Sequence, residues 1–93
     1  MTGYVVEFYV SRLHASTLED LTARAHQVSE DLSCAGTPVV YVRSVFLPED
    51  ETCFHFFDAQ SLEAVQEACC RLGLTHERIA KATSVRPSSG TTL

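Results

Sequence analysis

The 93-residue sequence predicts a small α+β domain with the element order β-α-β-β-α-β. Three observations carry this prediction: an alternating apolar pattern near the N-terminus, two stretches with apolar residues at helical spacing, and a pair of β-rich segments between those stretches. The length leaves room for one hydrophobic core and for no second module. We therefore expect a single domain over residues 1–83 and a small polar tail over residues 84–93, whose removal should leave the fold intact.

The first half of the chain predicts one strand and one helix. Residues 4–10 are rich in β-branched and aromatic side chains. Alternation divides this strand into a core face of Tyr4, Val6, Phe8 and Val10 and an opposite face of Val5, Glu7 and Tyr9. The first helix is expected to begin at a capping box, Ser16-Thr-Leu-Glu19, and to end at Gly36. Its core stripe is predicted to be Leu18, Leu21, Ala25, Val28 and Leu32.

The second half predicts a hairpin, a helix and a last strand. The hairpin strands cover residues 39–46 and 52–57, with the acidic turn 49–51 between them. Ser61 is a candidate N-cap for the second helix, which Gly73 ends, and residues 74–82 form the last strand. Two right-handed crossovers joined by a hairpin define the ferredoxin-like arrangement, a four-stranded antiparallel sheet with two helices on one face and the first and third strands adjacent.

The sheet face away from the helices is predicted to be apolar. We expect Phe54 and Phe56 to be the inward residues of strand three, and Val40, Val42 and Phe46 those of strand two. The opposite face then carries Val5, Glu7, Tyr9, Tyr41, Arg43, Val45, Cys53, His55 and Phe57. So apolar a face is more typical of an interface than of a solvated surface. We expect a homodimer that covers it, in the manner of a dimeric α+β barrel.

The composition indicates which kinds of partner the protein can bind and in which compartment it is expected. A net charge of −5 with only seven Lys and Arg gives no basic patch, which disfavours nucleic acid. No apolar run is long enough for a membrane helix, and the N-terminus shows no signal peptide, so a cytoplasmic protein with reduced thiols is expected. Cys69 lies on the core stripe of the second helix, whereas Cys53 is predicted to be the more accessible thiol.

The candidate functional residues lie on the predicted open face. Glu7 beside His55 is interpreted first as a cross-strand ion pair that dimerisation buries. Glu7, Cys53 and His55 could instead bind nickel or zinc, since carboxylate, thiolate and imidazole suit such metals. Arg43 could anchor a carboxylate ligand or pair with Glu7 or a partner-chain carboxylate. The candidate ligand-binding residues are Glu7, Tyr9, Arg43 and His55.

The chain resembles a family of short bacterial ferredoxin-like domains of unknown function, whose best-described kind is a small nickel-binding protein. The matching pieces are Tyr4-Val-Val-Glu-Phe-Tyr9, Val39-Val-Tyr-Val-Arg-Ser44 running into Pro48-Glu-Asp-Glu51, and Ala59-Gln-Ser61. Together they extend over residues 4 to 82, although most are strand, turn and cap residues. The resemblance implies a dimer and nickel binding, without assigning ligands to positions in this chain.

Three functional hypotheses follow from the sequence. The leading one is a small dimeric binding protein that holds a metal ion or a small ligand at the open sheet face. A second is a dimeric α+β barrel enzyme, resembling small monooxygenases or isomerases, with His55 as general base. A third is a non-catalytic dimerisation or regulatory module. The sequence contains no nucleophile elbow, P-loop or dinucleotide fingerprint that would favour catalysis.

Overall fold

A computed structural model describes residues 1–83, apart from the side chain of Ala15; the predicted tail lies outside the described residues. The elements are β1 (Thr2–Tyr9), a 3-10 segment (Arg12–Thr17), α1 (Leu18–Cys34), β2 (Val39–Leu47), β3 (Thr52–Ala59), α2 (Leu62–Leu72) and β4 (Arg78–Ala82). The antiparallel sheet has the order β2-β3-β1-β4. The predicted ferredoxin-like α+β fold is therefore confirmed, with β1 and β3 in the centre.

Local signals place three of the four helix ends correctly. Gly36 and Gly73 adopt left-handed backbone angles, φ 94° and φ 70°, just beyond α1 and α2. The Ser61 hydroxyl accepts a hydrogen bond from the Ala64 amide at 3.2 Å. The capping box at Ser16 is wrong, because the chain enters α1 from the 3-10 segment. The residue before α1, Thr17, has helical angles and makes no side-chain cap bond.

The core lies between the two helices and one face of the sheet. The inward alternation of β1 is confirmed, since Tyr4, Val6, Phe8 and Val10 are all buried. Ala25 and Leu32 of α1 also lie in the core. The buried stripe of α2 consists of Ala64, Val65, Ala68, Cys69 and Leu72. Leu18, Leu21 and Val28 pack against this core from partly buried positions. Each helix thus covers the sheet along one apolar stripe.

The predicted facing of β3 is wrong. His55 lies opposite Val6 of β1, and Phe54 lies opposite Glu7. Directly opposed residues in an antiparallel pair share a face, so His55 points into the core together with Val6. Cys53 and Phe57 follow His55 into the core, and all three side chains are at most 1% exposed. Both alternations of this strand are apolar, so only the register with β1 could decide between them.

A β-bulge changes the facing of β2 midway. Tyr41 lies opposite Phe57, but Arg43 lies opposite Phe56, so Val42 is an extra residue. The inward residues are Val39 and Tyr41 before the bulge and Ser44 and Phe46 after it. The predicted inward facing is right for Phe46 but wrong for Val40 and Val42, which are about half exposed, and the outward facing of Tyr41 is also wrong. Arg43 and Val45 lie outward, as predicted.

Among residues 1–83, neither α1 nor α2 has the length and apolar character that a membrane-crossing helix requires.

Candidate ligand-binding face and buried histidine

The sheet surface opposite the helices, here called the open face, is mainly apolar. It carries Val5, Val40, Val42, Val45, Leu47, Phe54, Phe56 and Ala80, with Glu7, Tyr9, Arg43, Asp58 and Arg78 among them. Four of its aliphatic side chains, all on β2, keep between 37% and 50% of their surface accessible. The error in the facing of β3 leaves this apolar character intact, because Phe54 and Phe56 replace His55 and Phe57 there.

A cavity of about 440 Å³ lies at the end of the open face where β2, β3, β1 and the end of β4 meet. Its side chains include Val42, Arg43, Phe56 and Asp58. The guanidinium carbon of Arg43 lies 5.0 Å from the centre of the Phe56 ring, a cation–π distance. Within residues 1–83 no carboxylate lies within 4 Å of the Arg43 guanidinium, since the salt bridges there involve other residues. The cavity thus offers an aromatic ring, the Asp58 carboxylate and a guanidinium that has no carboxylate partner among residues 1–83.

The predicted Glu7–His55 ion pair is wrong, because His55 lies in the core and Glu7 on the open face. Glu7 Oε1 lies 3.6 Å from the Arg78 guanidinium across β1 and β4, and both side chains are too exposed for a strong ion pair. The Tyr9 hydroxyl donates to Glu51 Oε1 at 3.3 Å. Glu51 also accepts a 2.8 Å hydrogen bond from the Arg12 amide, and that bond is the main reason that the pKa of Glu51 is lowered. Tyr9 is therefore held at the hairpin end of the open face.

His55 lies in a buried network on the helix side of the sheet. Its Nδ1 contacts the Ser44 hydroxyl, and the Ser44 oxygen lies 2.6 Å from the Tyr41 hydroxyl. Aromatic rings surround the imidazole, with the Phe8 ring centre 4.7 Å away. Among the described residues Nε2 has no hydrogen-bond partner. Burial lowers the pKa of His55 to about 4, so the imidazole is neutral near pH 7.

Sequence reasoning missed Ser44 and Tyr41 as partners of His55. The signal that pointed to them was weak: a serine at a central position of an apolar strand is unusual, and a buried serine needs a hydrogen-bond partner. The bulge at Val42 hid this relation, because strict alternation puts Tyr41 and Ser44 on opposite faces.

The predicted metal ligands do not fit a nickel or zinc site. Glu7 lies on the open face, whereas Cys53 and His55 lie in the core. Burial raises the pKa of the Cys53 thiol to about 11, which disfavours the thiolate that a metal binds. The His55 Nδ1 is already bonded to Ser44. Within residues 1–83, no three His, Cys, Asp or Glu side chains come together in a metal-binding geometry.

The accessible thiols are also not the predicted ones. Cys69 is buried, as expected, but Cys53 is equally buried. Cys34 at the end of α1 and Cys70 on α2 are exposed instead.

Comparison with known proteins supports the fold and goes no further. No protein-family model matches the sequence, and no curated protein shows significant similarity. Among solved structures, the chain is similar to the crystal structure of SCO4226 from Streptomyces coelicolor A3(2), with a TM-score of 0.74 and 16% identity. The similarity extends over 90% of this chain and 99% of that one. At this identity it shows a shared small α+β fold and leaves the family and function of this chain open.

Proposed function

We propose that the protein is a homodimeric binding protein that holds a small anionic ligand with an apolar body against its open face. The observation that carries this proposal is the Arg43 guanidinium, which has no carboxylate partner in the described part of the chain and lies on the wall of a cavity that Phe56 also lines. An arginine presents a planar fork of donors that matches a carboxylate. The aromatic ring beside it suits an apolar ligand body.

The apolar side chains of the open face support the proposed homodimer. Val40, Val42, Val45 and Leu47 are all substantially exposed on the edge strand β2, with Phe54 and Phe56 partly exposed beside them. A long apolar edge strand is a liability in a monomer. Shielding ~600 Å² per chain at about 25 cal/mol per Å² gives a gross gain on the order of 15 kcal/mol. Lost rigid-body freedom and side-chain ordering cancel much of it, which leaves micromolar to nanomolar association.

The dimer and the ligand need separate tests. Sedimentation at tens of micromolar should show a dimer, and a monomer would refute the oligomeric part of the proposal. For the ligand, benzoate serves as the anionic probe and benzyl alcohol as the uncharged control in calorimetric titrations. Arg43→Gln should weaken benzoate binding by roughly tenfold to a hundredfold, since a charge-assisted pair is lost.

The matched control for this substitution is Arg71→Gln, which removes an exposed arginine that pairs with Glu67 on α2. Equal benzoate affinity in Arg43→Gln and Arg71→Gln would contradict the role of Arg43. A dimer that binds neither probe would favour the third hypothesis, a module whose sheet only dimerises.

The other two hypotheses gain less from the structure. Nickel binding through Glu7, Cys53 and His55 would need the chain to bring together residues from opposite faces of one sheet. For catalysis, His55 would have to reach a substrate on the open face, but its side chain points to the core and its pKa of about 4 makes it a weak base near pH 7. We therefore favour the binding of a small anionic ligand over both nickel binding and catalysis.

A further inference from the structure

The cavity on the open face holds two charged side chains of opposite sign, and the proposed anion site uses only one of them. Arg43 extends from β2 and Asp58 from β3, and both line the same cavity of about 440 Å³. In the sheet register Arg43 lies opposite Phe56, and Asp58 follows Phe56 two residues along β3. Arg43 and Asp58 are therefore diagonal neighbours on one face, a relation that places two residues roughly 7–8 Å apart.

The two charges do not neutralise each other. Among residues 1–83 no basic side chain has a nitrogen within 4 Å of the Asp58 carboxylate, and no acidic side chain has an oxygen that close to the Arg43 guanidinium. The Arg43 guanidinium carbon lies 5.0 Å from the centre of the Phe56 ring instead. The N–H donors of the guanidinium and the acceptor oxygens of the carboxylate are therefore available to another molecule.

Both charged side chains can be reached by a molecule in this cavity. Arg43 and Asp58 are exposed. Gly3 of β1 lies opposite Asp58 and also lines the cavity. A Cβ atom at Gly3 would lie 3.6 Å from Asp58 Oδ1 and only 2.6 Å from the carbonyl oxygen of Ala82 on β4. The glycine thus lets β4 approach β1 closely and leaves room beside the Asp58 carboxylate.

The two charges restrict the chemistry of the ligand. A ligand with only a carboxylate can pair with Arg43, but the Asp58 carboxylate in the same cavity repels it, and a ligand with only an ammonium group meets the reverse problem. A molecule that carries both groups satisfies both side chains. The proposed dimer makes this match more important, because it shields the open face from water, and a shielded charge without a partner destabilises the assembly.

We propose that the ligand of the open face is a zwitterionic amino acid with an apolar side chain. This inference rests on the proposed function and specifies the class of its ligand. The Arg43 guanidinium binds the carboxylate, the Asp58 carboxylate binds the ammonium group, and the Phe56 ring packs against the apolar side chain. The cavity volume of about 440 Å³ is near the lower end of the range for small-ligand sites, which suits a single amino acid rather than a peptide.

Calorimetric titrations with three probes of similar shape separate the two charges. The probes are L-phenylalanine, 3-phenylpropanoate, which lacks the ammonium group, and 2-phenylethylamine, which lacks the carboxylate. L-phenylalanine should bind about tenfold more tightly than either of the others, because it alone makes both charge-assisted contacts. Asp58→Asn should weaken binding of L-phenylalanine by about tenfold without weakening that of 3-phenylpropanoate, whereas Arg43→Gln should weaken both. Asp20→Asn, which makes the same change of charge on an exposed position of α1, is the matched control.

The inference would be overturned if 3-phenylpropanoate bound as tightly as L-phenylalanine, or if Asp58→Asn weakened binding of the two equally. The proposed anion site would survive both results, because 3-phenylpropanoate and benzoate would still bind through Arg43. Absence of binding by every probe, benzoate included, would refute the proposed function and this inference together. A weaker dimer of Asp58→Asn in sedimentation, with unchanged affinity for L-phenylalanine, would also overturn the inference, since Asp58 would then pair with the second chain of the dimer.

Discussion

Lowering the pH from about 7.5 to 4.5 should destabilise this protein mainly through His55. Its pKa is about 4 in the folded chain and 6.5 as an unperturbed side chain. The unfolded chain therefore takes up a proton at this residue as the pH falls below about 6.5, whereas the folded chain does so only near pH 4. The contribution of His55 to the free energy of unfolding is fully present above the pKa of the unfolded chain. It declines between the two pKa values and stays low below the pKa of the folded chain.

The size of the effect follows from the two pKa values. At about 1.4 kcal/mol per pKa unit, the full difference is worth about 3 kcal/mol. Between about pH 7.5 and pH 4.5 most of this is lost, on the order of 2–3 kcal/mol. No discount for solvent screening applies, since His55 is fully buried. In a domain of this size, such a loss lowers the melting temperature by roughly 10–15 °C.

Thermal and urea denaturation of the wild type and of His55→Gln across this pH range measure the effect. Glutamine can still hydrogen-bond to Ser44 but does not titrate. The free energy of unfolding of the variant should therefore fall much less than that of the wild type as the pH is lowered. His26→Gln is the control, because His26 is exposed and paired with Glu30 on the surface of α1. Identical pH profiles for the wild type and His55→Gln would refute the buried, neutral state of His55.

Three further predictions test the facing of the sheet and the helix caps. Leu47→Glu should convert the dimer to a monomer in sedimentation, because it would bury a carboxylate on the open face four residues along β2 from Arg43, whereas Leu13→Glu, on the exposed 3-10 segment, should leave the dimer intact. In the native protein Cys34 and Cys70 should react with a thiol reagent well before the two buried cysteines; mass spectrometry that found the reverse order would contradict the described burial. Ser61→Ala should reduce the free energy of unfolding by about 1 kcal/mol in urea titrations, through loss of the cap, and an unchanged value would show that the cap contributes nothing.

The sequence by itself determined the features that depend on near neighbours in the chain. The order of the elements follows from apolar periodicity, and the cap at Ser61 and the helix end at Gly73 follow from local backbone chemistry. The inward face of β1 was also correct, because only one of its alternations avoids placing the Glu7 carboxylate in the core.

Tertiary structure decided which residues form the sites. Both alternations of β3 are apolar, so the burial of His55 was fixed only by its pairing opposite Val6 on a distant segment. The bulge at Val42 brought Tyr41 and Ser44 to the same side, a change of facing that strict alternation excludes. Strand register is a property of two strands at once, and a one-residue difference in it exchanges every side chain between the core and the open face.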